Sequence, residues 1–231
     1  MIRLDGVQVA VPGSGAARTQ RRILGPVDLE LSERRIAFIG ANGSGKSTLL
    51  RLLNGLVLPT TGRVLVGDLD TRRDGRRIRR QVGFVFTDPL AQLVMATPAD
   101  DVELSLRNTI PDRADRRAGA ARLLAQRGLA HLADQSVYDL SGGERQLVAL
   151  TSVLACGPAI VVADEPTTLL DLRNRNQVRT AISELDQQVL VATHDLEMAA
   201  DADRVIVIDD GLVVADGEPA SAIAAYRKLM A

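Results

Sequence analysis

The residues best equipped for chemistry in this chain are packed into one run, Gly40-Ala41-Asn42-Gly43-Ser44-Gly45-Lys46-Ser47-Thr48. An apolar stretch, Ile36–Ile39, precedes it, and a leucine-rich one, Leu49–Leu53, follows. Strand, glycine loop and helix in that order are what the G-x-x-x-x-G-K-[ST] pattern requires. Gly40, Gly43 and Gly45 let the backbone turn its N–H groups inward around a phosphate, with Asn42, Ser44 and Thr48 in the same loop. The helix that begins at Lys46 adds its positive end. Lys46 is expected to reach the terminal phosphates of a nucleotide, and the Ser47 hydroxyl to bind Mg²⁺. Of 28 basic residues only Lys46 and Lys228 are lysine, so position 46 requires a compact point charge and not a planar fork.

Two further runs carry acid or anion-binding geometry. Ala159–Ala163 reads as an apolar strand ending in Asp164-Glu165, which sets two carboxylates at the carboxyl edge of a sheet, beside the phosphate loop. Asp164 is expected to hold Mg²⁺ through water, and Glu165 to orient and deprotonate an attacking water. Leu140-Ser141-Gly142-Gly143-Glu144-Arg145-Gln146 puts a serine and two glycines at a helix start, where free N–H groups can meet a second anion. One phosphate loop already serves the near side of a nucleotide, so a second anion site points to the nucleotide of another copy. An ordinary serine cap with glycine flexibility is the plainer reading of the same residues.

Positioning these groups calls for an α/β fold with a largely parallel sheet. Strands are predicted at Ile2–Val11, Ile23–Leu31, Arg35–Ile39, Arg63–Val66, Val82–Phe86, Ile160–Ala163, Val189–Thr193 and Val205–Ile208. Asp209-Asp210-Gly211 predicts a tight hairpin from the last of these into Leu212–Ala215. Helices are expected after Lys46, Asp74, Gly142, Asp171, Asp195 and Pro219. Between Pro98 and Leu140 the β-branched runs give way to Ala/Arg/Leu-rich segments such as Arg116–Arg127. The reading is a single domain over residues 1–231, with a helical subdomain inserted at approximately 98–156.

Composition narrows the function classes. With 231 residues and 46% hydrophobic content, the chain can bury a sizeable core without disulfides, and one cysteine excludes an internal one. A formal charge of −1 gives no global field for nucleic acid, and 2% aromatics leave no stacking platform for bases. No apolar run approaches a membrane span, and the N-terminus shows no signal-peptide pattern.

The phosphate loop, Leu-Ser-Gly-Gly-Glu-Arg-Gln, Asp-Glu-Pro-Thr, Leu170-Asp171 and Thr193-His194-Asp195 occur in the order seen in ABC-type ATPases, and the chain resembles one nucleotide-binding domain of that family. The resemblance implies an ABC-type P-loop ATPase fold. That fold has a RecA-like mixed sheet core, an N-terminal antiparallel β subdomain and an inserted helical subdomain. It implies ATP and Mg²⁺ as cofactors, and a second copy of the chain as partner in a head-to-tail dimer. Ser141, Gly142 and Gly143 would bind the γ-phosphate held by the partner copy. Thr168 to Asp171 would link the two sites, and His194 would contact the γ-phosphate.

Val82–Leu93 followed by Pro98–Val102 resembles the ATPases of the energy-coupling-factor importers of vitamins and metal ions, and Glu165–Asn174 looks most like the ATPase of the biotin importer. The implied partners are a transmembrane coupling subunit and a substrate-binding membrane subunit, and the implied place is the cytoplasmic face of the cell membrane. Import of cobalt, nickel or another vitamin is the alternative. A soluble ABC ATPase acting on DNA or ribosomes is opposed by the near-neutral charge and the lack of a coiled-coil insertion. A dead nucleotide sensor is opposed by Lys46, Glu165 and His194.

Two positions depart from the family pattern. Thr87 stands where the family has a Gln that helps place Mg²⁺ and water; a water-bridged contact is expected from the shorter side chain, with Gln92 as a possible substitute. Val11 stands where an aromatic usually stacks on adenine and offers apolar contact only. Arg72–Arg80 reads as a solvated helix face, Cys156 as a small core residue, and His131 has no partner spacing for a metal.

Overall fold

The computed structural model describes residues 1–13 and 20–231. Along the chain come β1 (Ile2–Pro12), β2 (Gln20–Leu31), β3 (Arg35–Ile39), α1 (Lys46–Leu53), β4 (Thr61–Val66), β5 (Leu69–Asp70), α2 (Gly75–Gln81) and β6 (Val82–Val85). Three helices follow, α3 (Pro98–Ser105), α4 (Arg113–Gln126) and α5 (Gly142–Ala155). The chain closes with β7 (Ile160–Asp164), α6 (Leu172–Ser183), β8 (Gln188–Ala192), α7 (Leu196–Ala200), β9 (Arg204–Asp209), β10 (Leu212–Gly217) and α8 (Pro219–Leu229).

Strands β2-β1-β4-β5 form an antiparallel sheet, and β10-β9-β3-β8-β7-β6 a mixed one in which only β10 runs antiparallel to its neighbour. Between their ends the central strands of the mixed sheet are apolar, because both faces are covered. In β3, Ile36 and Phe38 face the antiparallel sheet and α1, while Ala37 and Ile39 face the core shared with α6, α7 and α8. In β7 the alternation repeats, Ile160 and Val162 against Val161 and Ala163. The Asp210-Gly211 turn closes the predicted hairpin with both residues at positive φ, 43° and 76°, the twist that suits right-handed strands.

The expected strands are all present, with shifted ends. The second begins at Gln20, earlier than Ile23, and the Arg63–Val66 strand begins at Thr61. Two-residue β5 escapes any periodicity argument. In the helical stretch, starts are set by caps: Thr97 accepts from the Asp100 N–H before Pro98, and Asp112 accepts from the Asp115 N–H. Cys156 departs from expectation. It caps the C-terminus of α5 and is exposed, its thiol donating to the Ser105 carbonyl at 3.7 Å.

Helix α5 belongs to two cores at once. Leu150 packs with the mixed sheet, while Val148, Ala149 and Ala155 pack with α3 and α4. Its hold on the helical segment is polar as well. The buried Asp101 carboxylate accepts from the Val94 and Met95 N–H groups at 2.9 and 3.1 Å and from the Ser152 hydroxyl at 2.7 Å. Asp101→Ala would leave three donors without an acceptor. It is expected to cost about 3 kcal/mol, read as a fall in Tm of roughly 6–12 °C by calorimetry. An unchanged Tm would show that water replaces the carboxylate.

Candidate active site

The phosphate loop is backed by the hairpin at the other end of the chain. A Cβ on Gly40 (φ 154°) would lie 2.0 Å from the Ile208 carbonyl oxygen, so no other residue fits there without moving β9. The Gly211 N–H donates to the Ser44 carbonyl at 2.9 Å, and the Gly25 N–H donates to the Gly211 carbonyl at 2.7 Å. These contacts fix the loop before any ligand arrives. Gly45, in a left-handed conformation, starts α1 without a side-chain cap, which leaves the helix end open.

Lys46 is 5% exposed and folds back over its own loop, donating to the Gly40 and Ala41 carbonyls at 2.8 and 3.0 Å. Its Nζ lies 3.8 Å from Glu165 Oε1. Burial lowers the ammonium pKa from its ordinary value, against the opposing pull of Glu165 and Asp164.

Asp164 closes β7 at 1% exposure and accepts the Ser47 hydroxyl at 2.7 Å. Arg51, one turn further along α1, approaches its other oxygen at 3.5 Å. Burial raises the Asp164 pKa, and the Ser47 hydrogen bond and Arg51 oppose the rise. Arg51 was not singled out by sequence, although its place four residues after Ser47 puts both on one helix face.

Glu165 takes a left-handed backbone (φ 51°), rare for a residue with a side chain and a frequent mark of functional sites. Its N–H donates to the Ala192 carbonyl at 2.9 Å. The two carboxylate oxygens have different fates. Oε2 meets His194 Nδ1 at 2.6 Å and the His194 N–H and Thr168 hydroxyl at 3.3 Å each. Oε1 is buried without a hydrogen-bond partner and faces Lys46. His194 itself is exposed, so its free edge is available to a ligand.

Thr87 sits at the end of β6, its hydroxyl donating to the Asp164 carbonyl at 2.8 Å, so it binds the backbone of the acidic pair and not its carboxylates. Gln92 is no substitute at that position. Its Oε1 accepts from the Phe86 N–H at 3.1 Å and its Nε2 donates to the Ala149 carbonyl at 3.0 Å, which commits the whole amide to structure. Gln146 of α5, which closes the Ser-Gly-Gly motif, is buried and donates to the Phe86 carbonyl at 3.3 Å, a contact the motif does not disclose. Both backbone groups of Phe86 are thus held by glutamine amides. Val11 is exposed on β1, paired with Arg21.

Ser141, Gly142 and Gly143 are brought together with α6 and not, by any hydrogen bond among the described residues, with Lys46. Ser141 and Glu144 form a reciprocal cap, with the Glu144 N–H donating to Ser141 Oγ at 3.3 Å and the Ser141 N–H donating to Glu144 Oε2 at 2.8 Å. A Cβ on Gly143 would lie 2.4 Å from Asn174 Oδ1. Asn174 is held in turn by Asp171, which caps α6 through the Asn174 N–H at 2.8 Å. Arg175, one turn into α6, pairs with Asp195 at 3.4 Å.

Among the described residues no three His, Cys, Asp or Glu side chains converge on one point. The Ser47–Asp164 oxygen pair is a hard donor set that suits Mg²⁺, which takes one or two protein ligands and completes its shell with phosphate and water.

A glycine loop at a strand-to-helix turn, with a carboxylate pair at the same edge of the sheet on a parallel strand one removed, defines a P-loop nucleotide hydrolase. Residues 24–168 match the family described as ABC transporter. The chain is 47% identical to a putative ABC transporter ATP-binding protein of Deinococcus radiodurans, over 91% of this chain and 93% of that one. It is 42% identical to the biotin transport ATP-binding protein BioM of Rhizobium etli (97% and 100% covered) and 39% identical to an energy-coupling factor transporter ATP-binding protein of Halalkalibacterium halodurans (85% and 72%). The fold matches a dimeric ATP-binding cassette in a post-hydrolysis state, bound to ADP and Pi, with a TM-score of 0.84, 30% identity and 95% and 99% coverage. The chain belongs to the ABC transporter family: it binds ATP and is an ATPase coupled to transport. Among the described residues no helix is long and apolar enough to cross a membrane.

The raised Asp164 pKa makes a signed prediction. A buried carboxylate whose folded pKa exceeds the unfolded one destabilises the empty protein once pH rises through the folded value. Asp164→Asn, which keeps an acceptor for Ser47, is therefore expected to raise the Tm of the nucleotide-free chain at neutral pH. The gain should vanish below the ordinary carboxylate range, where Asp164 is protonated in both states. Thermal melts across pH check this; a lower Tm for Asp164→Asn at neutral pH would refute it.

Proposed function

We propose that this chain hydrolyses ATP as one half of a head-to-tail homodimer and so powers an energy-coupling-factor importer whose cargo is biotin. The single observation that carries the catalytic part is the split role of Glu165, one oxygen held by His194 and Thr168 and the other buried and free beside Lys46. The free oxygen is the general base: it takes the proton of the water that attacks the γ-phosphorus, while the bond to the departing ADP oxygen breaks. Gly40, Asn42, Gly43, Ser44, Gly45 and Thr48 surround the phosphates. Lys46 leaves its loop carbonyls to meet the β- and γ-oxygens. His194 steadies Glu165 and reaches the γ-phosphate with its exposed edge. Ser47, and Asp164 through water, would hold Mg²⁺, which would neutralise phosphate charge. Thr87 fixes the Asp164 backbone, and any influence it has on the metal passes through water.

Ser141, Gly142, Gly143 and Asp171 serve the partner's nucleotide, since they lie together at the starts of α5 and α6 and make no hydrogen bond with the chain's own Lys46 among the described residues. Val11 gives adenine an apolar contact. Residues 1–231 act as one unit, with the helical segment at about 98–156 meeting the coupling subunit and, beyond it, a substrate-binding membrane subunit at the cytoplasmic face. The biotin assignment draws on the likeness to the Rhizobium etli protein over its whole length.

Glu165→Gln should lower turnover by roughly 10²–10⁴-fold and leave ATP binding intact, measured by phosphate release and nucleotide titration. Near-normal hydrolysis would remove Glu165 from the mechanism. Mixing a Lys46→Ala chain with a Ser141→Arg chain should restore activity, because each heterodimer rebuilds one intact composite site. A mixture of exchanging chains no more active than either variant alone would exclude the shared site. For the cargo, cells lacking other biotin uptake should lose labelled-biotin import when the chain carries Glu165→Gln; retained import would redirect the assignment to another cargo.

A further inference from the structure

On the far side of α1 from the phosphate loop, residues 70–80 carry six arginines against two aspartates. Helix α2 is anchored by Ile78, fully buried, and displays Arg76, Arg77, Arg79 and Arg80 to solvent around it. The two carboxylates are used locally. Asp70 accepts from the Arg72 N–H at 2.8 Å, and Asp74 accepts from the Asp70 N–H and pairs with Arg77, each at 3.3 Å. That pair is the only ion pair made by α2 among the described residues. Four guanidinium groups of this segment, Arg73, Arg76, Arg79 and Arg80, thus face solvent without a carboxylate. In a chain whose formal charge is −1, this is a local patch and not part of a general positive field.

Three features say what the patch receives. Five of the arginines surround a pocket of about 450 Å³ together with Leu58 and Thr71. Thr71 is 2% exposed, and its hydroxyl has no hydrogen-bond partner. Two leucines of the connection after α1, Leu56 and Leu58, are each 47% exposed at the same place. Guanidinium groups bind phosphate through paired N–H donors, and the buried Thr71 forms the floor between them. Exposed leucines beside them suit the boundary between headgroup and acyl chain. A nucleic acid would give the leucines nothing to contact, and between Arg51 and Gly83 there is no aromatic side chain on which a base could stack.

We infer that α2 and the connection after α1 form a docking surface for anionic phospholipid headgroups. The arginines grip the phosphates, and Leu56 and Leu58 enter the interface. Helix α2 runs straight into β6, whose opposite end carries Thr87. Four strand residues, about 13 Å, therefore separate the patch from the nucleotide site, so changes in the patch should spare hydrolysis.

The test is co-sedimentation of the full chain with vesicles of phosphatidylcholine alone or mixed with phosphatidylglycerol. The chain should sediment with the mixed vesicles only, and raised salt should release it. Replacing Arg76 and Arg80 together by Gln should weaken the association roughly tenfold or more. Replacing Leu56 and Leu58 by Ser should weaken it severalfold, with basal ATPase activity and Tm unchanged in both variants. Equal sedimentation with neutral and mixed vesicles, or no effect of the arginine pair, would overturn the inference. So would full displacement by inorganic phosphate, which would mark a pocket for free anions. Binding to duplex DNA as strong as to vesicles and indifferent to the leucines would overturn it in favour of nucleic acid.

Discussion

Two carboxylates taken out of water at the end of one strand set the terms for the rest of this molecule. Removing an ionised carboxylate from solvent costs several kcal/mol unless charges and donors meet it. The partners of Asp164 and Glu165 come from everywhere but β7 itself. Ser47 and Arg51 come from α1, Lys46 from its first residue, Thr87 from the end of β6, and His194 with the Ala192 carbonyl from the end of β8. They can converge only if β6, β7 and β8 lie parallel and adjacent, so that their carboxyl ends share one edge. The sheet order supplies this, with β7 between β6 and β8 and β8 beside β3, the strand that feeds the phosphate loop. Both faces of these strands must then be apolar, as the alternation along β3 and β7 shows.

What the amino-acid sequence discloses follows from how far apart the interacting residues lie. The phosphate loop is legible because its glycines, lysine and hydroxyls fall within nine residues, whereas its backing by the distant Ile208–Gly211 hairpin is not, and the strand before it is legible because four apolar positions in a row leave little choice. The caps at Ser141, Asp171 and Asp195 are equally local. Gln92 shows where this stops. A glutamine amide can serve a metal-bound water or a backbone, and only the approach of Phe86 and Ala149 decides that here it serves the backbone. The contact of Gln146 was invisible for the same reason, its partner lying 60 positions away. Arg51 was legible in principle from helical spacing. The orphaned Glu165 Oε1 was not, since orphaning is a property of the packed state alone.

Helix α5 is where the site meets the helical segment. It carries apolar contacts to the sheet through Leu150 and to α3 and α4 through Val148 and Ala149. Polar contacts run beside them: Ser152 to Asp101, Ala149 to Gln92, and Gln146 to the Phe86 carbonyl. Phe86 is the residue before Thr87, and Thr87 bonds to Asp164. A displacement of α5 therefore pulls on the backbone that carries the acidic pair through no more than two hydrogen bonds in series.

The plain and the functional readings of Ser141-Gly142-Gly143 are the same geometry. The reciprocal cap uses the N–H groups of Ser141 and Glu144 and one lone pair of the Ser141 hydroxyl. The N–H groups of Gly142 and Gly143 have no acceptor among the described hydrogen bonds. Capping thus aims the helix end and leaves its anion-binding donors free. The second glycine answers to a further demand. A side chain at position 143 would displace Asn174, and with it the Asp171 cap that starts α6. An anion bound at the start of α5 would therefore be felt at the start of α6. There Leu169, at φ 64° and fully exposed, stands two residues before the cap, turned away from its own core. A strained, exposed leucine next to an anion-binding helix end is costly in an isolated chain. It makes physical sense only where a second surface closes over it.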